Sequence, residues 1–353
     1  MKNNSASKKI KRFLPYSRQY IDKKDITEVT KVLKSDFITQ GPKISEFEKN
    51  FANYVGAKYA VACATGTAAL HISCMSLDLK KNEGLVTTPI TFVASANCAQ
   101  FVGAHTYFAD IDDKTHCISP VDLERVLKKK KIRIVVVVHM AGHSAEMSKI
   151  YKLKKKYKFN IIEDSCHALG GTYKNKKVGS CHFSDISTFS FHPVKPITTG
   201  EGGMITTNDK KIYNRLLIYR THGIHKNKKL FLNKDMAFDE KKSVNAWYYE
   251  MSHLGYNYRI TDLQAALGNS QLGKLDKFVK KRIEIAKIYD KGFSKNKFIT
   301  APRVKTYVKH AYHLYTILIN FKKLKKSRNE VMQKLRQIKI GTEYNLHFFI
   351  VCL

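Results

Sequence analysis

The chain lacks any hydrophobic run long enough to cross a membrane. Its longest unbroken aliphatic stretch is Ile134 to Val138, against the roughly 20 residues a spanning helix needs. No apolar segment follows the polar, basic N-terminus, Met1 to Arg12, which argues against an ordinary secretory signal and for a flexible arm over residues 1–13. None of the seven cysteines (Cys63, Cys74, Cys98, Cys117, Cys166, Cys181 and Cys352) belongs to a CxxC pair. Scattered through apolar stretches, they suit a reduced, cytoplasmic protein, and Cys166 reads as small buried filler. Acidic residues are scarce: 29 Asp and Glu stand against 63 Lys and Arg, a net charge of +34. Such a balance raises the question of nucleic acid. The excess, however, is overwhelmingly Lys and is spread along the chain, with the densest runs, Lys128 to Lys131 and Lys152 to Lys156, at or near helix ends. Neither nucleic acid nor membrane is therefore expected as a partner, whereas a small acidic substrate is compatible with the charge. Internal repeats and low-complexity linkers are also missing.

What is present is a globular composition, 43% hydrophobic over 353 residues, enough for one large domain and a smaller one. Lys23 to Lys34 and Pro42 to Tyr54 read as amphipathic helices around the loop Thr39-Gln40-Gly41-Pro42. From Tyr59 onward, β-branched runs (59–63, 85–88, 106–110, 132–140, 160–164, 187–192 and 203–207) alternate with helical stretches (67–77, 121–129, 147–157 and 210–220). This alternation predicts an α/β domain around a largely parallel, buried sheet. Thr261 to Asp290 then reads as one long helix, followed by a strand over Tyr312–Phe321 and a helix over Arg328–Gln337. The expected organisation is an arm (1–13), a large domain (14–260), and a linking helix with a small α+β domain (261–353).

Four stretches carry candidate chemistry. In Ser190-Phe191-His192-Pro193-Val194-Lys195-Pro196-Ile197-Thr198-Thr199-Gly200-Glu201-Gly202-Gly203, Lys195 follows an apolar strand and precedes a Thr/Gly-rich loop. Lost hydration there lowers a lysine pKa from about 10.4, and a neutral amine can form a Schiff base with an aldehyde. Taken alone, the same lysine also fits a structural or anion-binding role. Asp164 ends the apolar run of Ile161-Ile162-Glu163-Asp164, at the sheet edge where α/β folds place functional groups. Alone, it fits a helix N-cap equally well. Ala64-Thr65-Gly66-Thr67-Ala68 turns a strand into a helix, the outline of a phosphate site. Finally, Phe92 sits in a loop after a strand, where it could stack on a planar ring or fill the core.

In this order, the four stretches resemble the DegT/DnrJ-type sugar-nucleotide aminotransferases of pyridoxal phosphate (PLP) fold type I. The resemblance runs from about Leu14 through Thr342 and rests above all on the Ser-Phe-His-x-x-Lys-x-x-Thr-x-Gly-Glu-Gly-Gly block. Supporting stretches are Thr87-Thr88-Pro89-Ile90-Thr91-Phe92-Val93-Ala94 and His139-Met140-Ala141-Gly142-His143-Ser144. Within the family, the chain is most similar to the branch that aminates C4 of a UDP-linked 4-keto-6-deoxy hexosamine in pseudaminic acid synthesis. The resemblance implies an α/β fold with a large domain and a small C-terminal α+β domain. It also implies PLP as cofactor, glutamate as amino donor, a nucleotide sugar as acceptor, and a homodimer with shared active sites.

By the same resemblance, Lys195 would bind the cofactor's aldehyde and shuttle the proton, Asp164 would face the ring nitrogen, and His167 would lie near the ring's phenolic oxygen. Phe92 would stack on the ring. Thr67, Ser190 and the backbone of Gly66 and Ala68 would hold the phosphate, with Asn257 reaching it from the neighbouring subunit. Thr39 and Gln40 would line the sugar-nucleotide cleft, and Arg259 would either face the substrate or be structural. Another nucleotide or position, such as a dTDP-linked 3-keto or 4-keto sugar, stays open. After Gly341-Thr342 the chain departs from the family pattern and ends in Phe348-Phe349-Ile350-Val351-Cys352-Leu353. That departure predicts an incomplete small domain with a poorly covered apolar tail, and with it the alternative of an inactive cofactor-binding remnant.

Overall fold

A computed structural model of the chain describes residues 12–345 and 348–351. Its centre is a seven-stranded sheet in the order β1-β9-β8-β5-β4-β2-β3. The strands are β1 (Tyr59–Cys63), β2 (Gly84–Thr87), β3 (His105–Phe108), β4 (Ile132–Val138), β5 (Asn160–Asp164), β8 (Ile186–Ser190) and β9 (Gly203–Thr207). Neighbours from β3 through β8 run parallel, and β9 is antiparallel to both β8 and β1. β4 is almost entirely buried, as a strand covered by helices on both faces must be, and that is why such strands read as near-continuous aliphatic runs. The covering helices are α1 (Lys23–Leu33), α2 (Pro42–Val55), α3 (Gly66–Ser76), α4 (Ala94–Gln100), α5 (Pro120–Lys129), α6 (Met147–Tyr157) and α7 (Lys210–Arg220). Several start on side-chain caps: Asp22 in a capping box with Asp25, Ser119 before Pro120, and Asp209. These satisfy amides that have no partner within the helix.

Short elements decorate this layer. β6 (Thr172–Tyr173), β7 (Lys176–Lys177) and β13 (Val308–Lys309) form a three-stranded sheet. β10 (Ile224–His225) pairs with β11 (Glu250–Met251), and α8 (Lys234–Ala237) lies between them in the chain.

The long helix expected over 261–290 is two helices, α9 (Asp262–Leu272) and α10 (Leu275–Phe293), separated at Gly273 and Lys274. α9 opens on a Thr261–Gln264 capping box and is buried nearly all round. α10 buries only a stripe of Leu275, Val279 and Ala286. Lys274 at the break is bonded to Asp25 (2.6 Å) and Asp22 (3.0 Å), which ties the junction to α1.

The small lobe is an antiparallel sheet in the order β12-β14-β16-β15, with β12 (Ile299–Thr300), β14 (Tyr315–Ile319), β15 (Glu343–Asn345) and β16 (Phe348–Val351). α11 (Phe321–Leu324) and α12 (Arg328–Gln337) accompany it. The strand is shorter than the 312–321 expectation because Tyr312 takes a positive φ of 48° and Asn320 caps α11. The tail is likewise not left without partners. β16 pairs with β14, Tyr315 opposite Val351, and β15 pairs with β16. The backbone of residues 343–345 and 348–351 thus adds two paired strands beside β14. At the other end, residues 1–11 of the expected arm lie outside the described residues. Leu14 bridges Ile340 and exchanges hydrogen bonds with Lys339 and Gly341 (2.9 and 2.7 Å).

Candidate active site

The carboxyl ends of β4, β5 and β8 and the start of α3 open onto one cavity of about 610 Å³. Its lining includes Gly66, Thr67, Phe92, Asp164, His167, Ser190 and Lys195, so seven of the residues singled out in sequence converge on it. Strand ends and a helix N-terminus meet here because parallel βα units place all their strand-to-helix turns at the same edge.

The helix end is built for an anion. Thr65 caps α3 by accepting from the Ala68 amide at 3.0 Å, which leaves the amides of Gly66 and Thr67 as the orphan donors of the first turn. Gly66 touches Ser190 closely: a Cβ at position 66 would stand 2.8 Å from Ser190 Cβ and 3.3 Å from its Oγ. The missing side chain therefore brings a serine hydroxyl beside the positive end of the helix dipole. Ala68 is buried, is not part of the cavity lining, and its amide is engaged by Thr65.

Lys195 sits in a pinned loop. Its amide donates to His192 (2.8 Å), Thr198 and Thr199 bond back to Phe191, and Ser17 fastens Val194 at 3.0 Å. The side chain is half-buried. Loss of water pushes the ammonium pKa below its ordinary value, with Cys166 and Asp164 opposing in part. A larger fraction of reactive neutral amine results.

Asp164 closes β5 and is 7% exposed. Ser95 donates to its Oδ2 at 2.7 Å, and Ser95 in turn shares a 2.8 Å hydrogen bond with Thr91. The Cys166 amide approaches Oδ1 at 3.3 Å. Residues 166–170 form turns rather than a helix, so Asp164 does not act as the N-cap that its position alone allowed. Cys166, read as buried filler, lines the cavity instead, and burial raises its thiol pKa well above the ordinary value.

His167 lines the cavity with Nδ1 buried and without a partner among the described residues, its ring 4.3 Å from that of His313. Burial, then the charge of Lys195, holds it neutral. Phe92 is 68% exposed, an apolar face turned to the cavity. Asn257, Arg259, Thr39 and Gln40 are not part of this lining. Asn257 is exposed and bridges Thr221, Thr39 bridges Thr261, and Gln40 has a φ of 56°. Residues missed in sequence are Tyr16, Ser95 and His313. Only the Thr91-x-x-x-Ser95 spacing at a helix start carried a local hint.

The donor set fits PLP: an orphan-amide cradle with a serine hydroxyl for a phosphate, a carboxylate in a protein-lined wall, a desolvated lysine, and a bare aromatic face. Residues 19–352 match the DegT/DnrJ/EryC1/StrS aminotransferase family. The chain is 40% identical over 332 residues to the UDP-4-amino-4,6-dideoxy-N-acetyl-beta-L-altrosamine transaminase of Campylobacter jejuni, covering 94% of this chain and 82% of that one. Among solved structures, it superposes on Helicobacter pylori PseC, an aminotransferase of pseudaminic acid biosynthesis, with a TM-score of 0.84 at 32% identity, over 95% of this chain and 85% of that one. Spr1654 of Streptococcus pneumoniae in its PLP form gives a TM-score of 0.81 at 27% identity, over 94% and 84%. Among the described residues, no helix is long and apolar enough to cross a membrane.

Proposed function

The chain belongs to the DegT/DnrJ/EryC1/StrS aminotransferase family, and from that premise we propose that it uses PLP to move an amino group from glutamate to C4 of a UDP-linked 4-keto-6-deoxy hexosamine. The observation that carries the reading is the convergence of Lys195, Asp164 and the α3 N-terminus on one cavity, in a chain 40% identical to a transaminase of that chemistry.

The amides of Gly66 and Thr67 and the Ser190 hydroxyl would hold the cofactor's phosphate, and Phe92 would offer an apolar face to its ring. PLP, when bound, supplies an aldehyde and an electron-withdrawing ring. Asp164 holds a proton on the ring nitrogen. A charge pair at about 4 Å in an effective dielectric of 20 attracts by roughly 4 kcal/mol, and the Ser95 hydroxyl keeps Oδ2 aimed. Lys195 Nζ, as a neutral amine, would take the proton from the amino-bearing carbon of glutamate. In the second half of the cycle, it delivers a proton to C4 of the sugar. His167, neutral beside the phenolic oxygen, offers a hydrogen bond without adding charge.

The working unit is a homodimer in which Asn257 reaches the phosphate of the partner's site, while Thr39, Gln40 and Arg259 face the acceptor from loops outside the single-chain cavity. In support, large apolar side chains are exposed on the 230–254 segment, among them Leu232 (85%), Leu254 (72%) and Trp247 (62%), the kind of surface that marks protein–protein contacts. Purified, PLP-loaded protein is assayed with glutamate against UDP- and dTDP-linked 3-keto and 4-keto sugars. Preferential amination of the UDP-4-keto sugar is expected. Preference for a dTDP sugar, or transfer to C3, overturns the acceptor assignment.

A further inference from the structure

The segment 310–314 enters the cavity wall from the small-lobe side and is clamped from two directions. Arg282 of α10 donates to the carbonyls of Tyr312 (3.1 Å) and His313 (3.0 Å). From the opposite side, Gly142 and Ala141 accept from the amides of Ala311 (3.0 Å) and Leu314 (3.1 Å). Gly142 has a φ of 108°, and a Cβ there would stand 2.8 Å from Tyr312 N and 3.1 Å from His313 N. Only glycine allows this approach.

The residue so delivered is His313, which is 3% exposed, lines the cavity, and tilts 40° against His167 at 4.3 Å. Buried polar atoms are almost always hydrogen-bonded, yet Nδ1 of His313 has no partner among the described residues, and neither has Nδ1 of His167. Burial, followed by His167, Lys195 and Arg282, disfavours the imidazolium form of His313. A neutral imidazole carries one donor and one acceptor nitrogen. That pairing suits a sugar hydroxyl or carbonyl, whereas a phosphate would call for a cation.

We propose that His313 reads the acceptor: a ring nitrogen hydrogen-bonds an oxygen of the keto sugar beside the reacting carbon, and the tilted ring contact with His167 sets the ring's orientation. The inference rests on the reading of the acceptor as a nucleotide keto sugar. It makes His313 matter most in the second half of the cycle, because glutamate presents a charged carboxylate beside its reacting carbon and no hydroxyl for a neutral imidazole to read.

The test measures the two half-reactions separately on PLP-loaded protein. The donor half is followed by the absorbance of bound cofactor on adding glutamate, and the acceptor half by consumption of the UDP-4-keto sugar. Calorimetric binding of the UDP-amino sugar to cofactor-free protein gives a readout independent of turnover. His313→Phe keeps a flat ring and removes both nitrogens. It is expected to raise the keto-sugar KM and the amino-sugar Kd about tenfold, the effect of one lost hydrogen bond, with the donor half within about twofold of the parent. His313→Gln or His313→Asn, each restoring one nitrogen position, should recover most of the loss. Equal slowing of both halves, or an unchanged keto-sugar KM in an active His313→Phe protein, overturns the role of His313 alone. A parent protein that reacts with glutamate but with no keto sugar overturns the acceptor reading and this inference with it.

Discussion

Ser95 at the start of α4 donates its hydroxyl to Oδ2 of Asp164 at 2.7 Å, across 69 positions of sequence. The carboxylate assigned to the cofactor nitrogen is thus aimed by a residue from a different crossover. Ser95→Ala removes one bond to a buried carboxylate, a change worth about 1–3 kcal/mol. Turnover should fall about tenfold with cofactor retained. Asp164→Asn should lose most turnover, because an amide does not hold the proton on the ring nitrogen. Steady-state rates with absorbance of bound PLP check both, and near-normal turnover of Asp164→Asn rules out its assigned role.

Gly66→Ala places a Cβ 2.8 Å from Ser190 Cβ and must push the serine out of the cradle. PLP affinity should drop by an order of magnitude or more, while thermal stability changes by little more than about 1 kcal/mol. Titration of cofactor-free protein with PLP reads the first quantity and thermal unfolding the second. Unchanged affinity would show that the phosphate lies elsewhere.

The lowered pKa of Lys195 has a definite sign. Only the unprotonated amine attacks an aldehyde, and a pKa below the ordinary value enlarges that fraction at any given pH. Reconstitution of cofactor-free protein with PLP should therefore keep its rate to lower pH than a lysine of pKa about 10.4 allows. A rate profile centred at or above that value contradicts the desolvated setting. In Lys195→Ala, borohydride should fix no PLP to a lysine.

Asn257 lies outside the single-chain cavity and is exposed. If it completes the partner's site, mixing inactive Lys195→Ala with inactive Asn257→Ala subunits yields heterodimers in which one site carries both lesions and the other neither. Partial activity, up to about a quarter of that of the parent per subunit after random exchange, is expected. Heterodimers that form but stay inactive place Asn257 in its own chain's site, or outside both.

The layered core and the main chemical groups were legible locally. Strands buried on both faces read as near-continuous apolar runs, so β4 announces itself by its Ile and Val residues and β5 by its Ile161-Ile162 pair, and cap residues such as Ser119 and Asp209 mark helix starts within the same few residues. Lys195, Asp164 and the Gly66 turn each sit at the end of such an element, and the regular edge of a parallel sheet brings strand ends together whatever the loops do.

Other features depended on contacts between segments far apart in the chain. Helical periodicity continues through Gly273 and Lys274, and the break there goes with the pairing of Lys274 to Asp22 and Asp25 of α1. The tail seemed uncovered because its pairing with β14 joins residues more than thirty positions apart, which a one-dimensional pattern does not register. The aim of Asp164 depends on Ser95, and the presentation of His313 depends on Gly142 and Arg282, none of them neighbours in sequence. The sequence by itself determined which groups were available and which strand ends would carry them, because those properties follow from short-range periodicity and capping. Their orientation, and the entry of His313 into the cavity, were decided only by tertiary structure, because hydrogen bonds and close packing form between whichever segments the fold brings within about 3 Å.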